Sequence, residues 1–226
     1  GGGIRNEGTL TVQDSIITRN VVSGSNAGND GGAIFNSGSL TVERSTLSDN
    51  QVTGRFGDGG AIEGRPNSVT VIRESTLSGN FAKDDGGAIE TYGQLTIIDS
   101  TISGNTAEDG GGGVRLSATG GRKATVELVT TTMSGNQGGS GGGFQISNPG
   151  NSLALRNSTI TGNISGGGGG GILVLSQNGS THRDVITAHN TIIAGNTRTI
   201  GNVADVNGTQ VFVAGNSNNI IGEGGD

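Results

Sequence analysis

Apolar residues along this chain fall in short alternating runs, not at helical spacing, and the runs recur. One run follows a pair of small residues: "GGAI" ends at Ile34, Ile62 and Ile89, "GGGV" at Val114, "GGGF" at Phe144 and "GGGI" at Ile172, with "GGI" ending at Ile4. A second run is a plain alternation, "LTV" from Leu10 and Leu40, "VTVI" from Val69, "LTI" from Leu95, "VEL" from Val126, "LAL" from Leu153 and "VIT" from Val185. The third ends in asparagine: "SIITRN", "STLSDN", "STLSGN", "STISGN", "TTMSGN", "STITGN" and "TIIAGN" end at Asn20, Asn50, Asn80, Asn105, Asn136, Asn163 and Asn196. Period two between Gly, Asn and Asp turns reads as strand. The set returns about every 25 to 33 residues, the spacing of a solenoid. The chain is therefore expected to be all-β: a parallel β-helix with three short strands per coil and about eight coils, successive coils lying about 4.8 Å apart.

Stacking turns each repeat position into a column. The Ile, Val and Phe after the glycines and the central apolar residues Leu47, Leu77, Ile102, Met133, Ile160 and Ile193 point inward and form the core. The Asn column marks a turn, where Asn tolerates the left-handed conformation and stacked amides bond coil to coil. The glycines supply corners needing positive φ or close backbone approach.

Composition supports this picture and excludes other classes. Of 226 residues 47 are glycine, with no cysteine and no tryptophan, so a disulfide framework and thiol chemistry are absent. A formal charge of -6 with no clustered Lys and Arg argues against a nucleic-acid partner. No apolar run is long enough to be a transmembrane segment. Residues 1–226 are expected to form a single β-helix domain, and because "GGGI" opens in mid-pattern, a fragment of a longer protein.

The combination of "GGAI" with "STISGN"-type runs resembles the right-handed parallel β-helix repeats of secreted and cell-surface bacterial proteins, the polymorphic outer-membrane and autotransporter-like adhesins. The closing "NTIIAGNT", "ADVNGT" and "NNIIG" are similar to the last coils of such domains. The resemblance implies right-handed coils, in keeping with the general preference of parallel crossovers. It also implies an extracellular or cell-surface location in bacteria.

Candidate chemistry concentrates on one face. Alternation from the inward Ile makes Arg5, Phe35, Glu63, Glu90, Arg115, Gln145 and Leu173 an outward column, with Arg65 and Tyr92 in the column two residues further on. Glu63 and Glu90 become neighbours on adjacent coils, a carboxylate pair of the kind glycosidases use. β-helix polysaccharide lyases and hydrolases resemble this chain in fold and place such residues on an outward face. Strand spacing alone produces that pairing, however, and a solvated charge ladder relieved by Arg65 and Arg115 is the plainer expectation. Arg65, Tyr92 and Arg115 are the candidate ligand-binding residues. Asp30, Asp58 and Asp85, each before a glycine pair, are candidates for Ca²⁺ or for turn-capping carboxylates.

Two further features are weighed. Outward pairs Thr46 and Ser48, Thr76 and Ser78, Thr101 and Ser103, Thr132 and Ser134, and Thr159 and Thr161 form hydroxyl ranks like those of ice-binding solenoids, or simply good strand residues. His182 and His189 lack the company of a zinc site, and Gly166 to Gly171 lack the Lys-Ser/Thr of a phosphate loop. The expected role is that of a structural or adhesive segment meeting other surface proteins or glycans through its faces and loops. The alternatives are an end-to-end stacking fibre subunit, a polysaccharide-active enzyme around Glu63 and Glu90, and an ice-binding solenoid.

Overall fold

The computed structural model describes residues 1–24, 30–147, 150–175, 185–200, 205–208, 212–213 and 215–222. They form an all-β solenoid of about six turns, without helices, slightly fewer than the eight coils expected. Strands pair in parallel with the equivalent strand one repeat away. The first sheet, eight-stranded, runs from Ile4–Asn6 through Ile34–Asn36, Ile62–Gly64, Ile89–Thr91, Val114–Leu116, Phe144–Ile146 and Ile172–Val174 to Val206–Asn207. The second, seven-stranded, carries the plain alternations, such as Val69–Arg73 and Gln94–Ile98. The third, eight-stranded, carries Thr46–Ser48, Thr76–Ser78, Thr101–Ser103 and their equivalents.

A fourth sheet stands where sequence indicates only a turn. It is seven-stranded and built of two-residue strands such as Gln51–Val52, Phe81–Ala82 and Thr106–Ala107. Two residues give no alternation to read, so each coil has four sides where three are legible.

The register of the inward columns follows the repeat: Ile34 pairs with Ile62, Ile62 with Ile89, and Leu77 with Leu47 and Ile102. These side chains are fully buried in one continuous apolar core, each contributing about 1.5 to 3 kcal/mol relative to exposure. The loops that lengthen some coils leave the columns undisturbed.

The Asn column forms the corner, in a different manner from that expected. The positive φ belongs to the preceding residue, Arg19, Asp49, Gly79, Gly104, Gly135, Gly162 or Gly195. This turns the Asn side chain inward. Each Asn Nδ2 donates to the Oδ1 of the next coil at 2.8 to 3.0 Å, from Asn20 through Asn50, Asn80, Asn105, Asn136 and Asn163 to Asn196. Asn196 donates to Asp205 Oδ1 at 2.7 Å. From Asn50 on, the second amide hydrogen goes back to a carbonyl of the previous coil, as from Asn80 to Leu47 O at 3.0 Å. All polar groups of this buried corner are thereby satisfied coil by coil.

Candidate functional site

The first sheet places the outward column as the alternation predicts: Phe35 pairs with Glu63, Glu63 with Glu90, Glu90 with Arg115, and Arg115 with Gln145. What alternation does not show is depth. Glu63 and Glu90 are both 0 % exposed, and Phe35, Gln145 and Leu173 are buried as well. The expectation of a solvated charge ladder is overturned. A strand of three residues bends at both ends, and its central side chain is walled from either side. The preceding corner contributes Asp58 against Glu90 and Asp85 against Arg115. The following turn contributes Ser117, whose Oγ donates to Glu90 Oε1 at 2.8 Å, and Arg65, whose Nη1 reaches Glu63 Oε1 at 3.5 Å.

Arg65 and Tyr92 form the outer rim. The Arg65 guanidinium sits 5.9 Å from the centre of the Phe35 ring and 5.8 Å from that of Tyr92, within cation–π range. Arg5 also stands over the Phe35 ring, at 4.5 Å. Arg115 is deeper, pairing with Asp85 and standing 3.6 Å from Glu90 Oε1. The three residues expected to bind ligand, Arg65, Tyr92 and Arg115, are thus gathered around the two glutamates, with side chains of Arg65 and Arg115 43 % and 23 % exposed.

Carboxyl groups outnumber guanidinium groups here, and burial shifts the carboxyls toward their neutral form. Loss of water pushes Glu63 well above the ordinary carboxyl range, with Asp58 and Asp30 adding repulsion against a smaller pull from Arg65. Glu90 is raised for the same first reason, then by Glu63 and Asp58. Asp58 is pushed up to about 6 by burial, held down by the proton it accepts from Glu90. Tyr92 is raised by burial and by Glu90. Arg115 is lowered by burial, against the pull of Asp58 and Asp84. Burial thus favours the protonated form of both interior glutamates, the form a general acid needs, yet neither presents surface to a substrate.

Several buried polar atoms of this region lack a hydrogen-bond partner among the described residues: Asp30 Oδ1, Glu63 Oε2, Glu90 Oε2, Gln145 Oε1, Arg115 Nε and the hydroxyls of Ser68 and Ser147. Such a concentration of orphaned acceptors marks the region as different from the satisfied Asn corner.

The aspartate column does cap the backbone: Asp30 accepts from the Asp58 N–H, and Asp58 Oδ1 from the Asp85 N–H at 3.1 Å. Its tightest carboxylate grouping is Asp58, Asp84 and Asp85, with Asp84 in place of Asp30. Asp84, Ser117 and Gln145 were not singled out from sequence. Asp84 stands beside Asp85 in "KDDGG", and Gln145 lies in the outward column, so position alone held the signal.

The Thr and Ser ranks are in register on the third sheet, Thr76 between Thr46 and Thr101, and Ser78 between Ser48 and Ser103. They lie on a separate face from the acidic cluster. His189 Nδ1 meets Ser217 Oγ at 3.1 Å, away from any carboxylate cluster, and His182 lies outside the described residues. No helix among the described residues is long and apolar enough to cross a membrane. No protein-family model matches the chain, nor does any curated protein or solved structure.

Proposed function

We propose that this solenoid is a structural and adhesive segment of a secreted or cell-surface bacterial protein. In this reading it holds glycans on the rim formed by Arg65, Tyr92 and Arg115. The observation that carries it is the Arg65 guanidinium held between the Phe35 and Tyr92 rings above the buried Glu63. A planar donor beside an aromatic face suits the hydroxyls and the C–H face of a sugar ring, and its fixed position lowers the entropy lost on binding. Affinity at one rim is expected to be modest, and many copies along a surface raise it by avidity.

Calorimetric titration with a panel of neutral and acidic oligosaccharides tests the proposal. Wild type is expected to bind at least one class, and Arg65→Ala and Tyr92→Ala to weaken that binding at least about tenfold, a loss of about 1.4 kcal/mol. Binding unchanged in both variants, or none across the panel, overturns it.

One observation favours a second reading, hydrolysis or elimination on a polysaccharide: Glu63 and Glu90 are paired in register and burial raises both above the ordinary carboxyl range. Their complete burial opposes it. Turnover of any polysaccharide by wild type, abolished in Glu63→Gln with Glu90→Gln, would favour the enzyme over the adhesive segment.

A further inference from the structure

Asp58, Asp84 and Asp85 bring carboxylate oxygens from adjacent coils within 4.8 Å of one another. That span is about twice a Ca²⁺–oxygen distance, the separation of oxygens that share one ion. Proximity of acids alone is not a site, but an uncommitted buried oxygen borders this one. Gln145, 5 % exposed, has no hydrogen-bond donor for its Oε1.

Gly110 shows where Gln145 meets the aspartates. The earlier coils place Asp30, Asp58 and Asp85 at this position of the repeat, and the next has Gly110. A side chain starting at Gly110 would run into Asp85 Oδ1 and would begin 2.6 Å from Gln145 Oε1. The missing side chain gives its space to Asp85 Oδ1, which comes to lie beside Gln145 Oε1. Asp85 divides its carboxylate: Oδ2 goes to Arg115, while Oδ1 stays on the Gln145 side.

We propose that this cluster binds a divalent cation, Ca²⁺ in preference to Mg²⁺, through Asp58, Asp84 and Asp85, with Gln145 Oε1 completing the oxygen set. All the donors are oxygen, which suits a hard cation, and the irregular arrangement suits Ca²⁺ better than the strict octahedron of Mg²⁺. The inference is independent of glycan binding at Arg65 and Tyr92.

The chain has one tyrosine and no tryptophan, and that tyrosine, Tyr92, stands near Glu90 and Asp58. Tb³⁺ standing in for Ca²⁺ and excited through tyrosine therefore reports on this neighbourhood. Wild type is expected to show sensitised Tb³⁺ emission, displaced by Ca²⁺ at concentrations about tenfold lower than Mg²⁺. Asp84 is only half-buried, so Asp84→Asn is the variant chosen to keep the fold, verified by circular dichroism. It should weaken Tb³⁺ and Ca²⁺ binding about tenfold or more, and the melting temperature of wild type, but not of the variant, should rise in Ca²⁺ relative to EDTA. Absent emission with identical melting in Ca²⁺ and EDTA overturns the proposal, because protons and Arg115 then neutralise the cluster unaided. Wild-type affinity in folded Asp84→Asn overturns it equally, since the ion then sits elsewhere.

Discussion

Asn80 donates both its side-chain amide, at 2.8 Å, and its backbone N–H, at 3.0 Å, to the single Oδ1 of Asn105 one coil away. Removing that oxygen strands two buried donors at once, and removing the Asn105 amide takes a hydrogen bond of 3.0 Å from Leu77 O. An unpartnered buried group costs about 1 to 3 kcal/mol. Asn105→Ala is therefore expected to destabilise by about 3 kcal/mol or more in urea unfolding. Asn20→Ala, at a half-buried position with no Asn donating to it among the described residues, should cost about 1 kcal/mol.

Gly87 shows why the corner needs glycine. A Cβ there would lie 2.6 Å from Thr106 C and 2.7 Å from Thr106 N, both backbone atoms that cannot swing away. Gly87→Ala should lower stability by more than about 2 kcal/mol. Gly8→Ala, where a Cβ meets nothing within 4 Å, should change it by less than about 0.5 kcal/mol.

Glu63 makes stability fall as pH rises. Its folded-state value lies above the ordinary 4.5, chiefly through burial, with Asp58 and Asp30 adding and Arg65 opposing. A raised acid contributes stability that is complete below pH 4.5 and lost as pH climbs through the folded value. With EDTA present, the protein should melt higher near pH 4.5 than at pH 8. Glu63→Gln should flatten that dependence and raise the melting temperature at pH 8, by about 3 °C for each kcal/mol recovered. A pH-independent difference between variant and wild type would contradict this account.

Arg115 and Arg156 separate a buried ion pair from an exposed one. Arg115→Met leaves Asp85 and Glu90 without their guanidinium and should cost about 2 to 3 kcal/mol, scaled down from the fully buried case because Arg115 keeps some solvent. Arg156→Ala removes only a surface contact to Glu127 at 3.0 Å and should stay within about 0.5 kcal/mol. Urea midpoints of the two variants measure the contrast.

The columns were legible because side chains alternate with period two and the repeat fixes the register: the neighbours of Glu63, Glu90 and Arg115 follow from counting. Depth was not legible. Whether Glu63 faces water depends on the short strand Ile62–Gly64 and on what Asp58 and Arg65 do at its two ends, contacts no local pattern encodes. The fourth sheet escaped for want of length, since Gln51–Val52 and Gln137–Gly138 are too brief to alternate. The asparagine corner falls at the residues the repeat predicts but takes a different conformation: Asp49 and Gly79 turn left-handed so that Asn50 and Asn80 need not.

The asparagine stack also has a direction. Along the row each Nδ2 gives one hydrogen forward to the next coil and each Oδ1 from Asn50 on faces the coil before, so the amide carbonyl dipoles add along the axis instead of cancelling. The positive pole of that row meets the Asp205 carboxylate, which takes both the side-chain and the backbone N–H of Asn196. An anion there plays the part an acid plays at a helix N-terminus. The solenoid is thereby electrically polar along its length, and Asp205 is the counter-charge that closes the row.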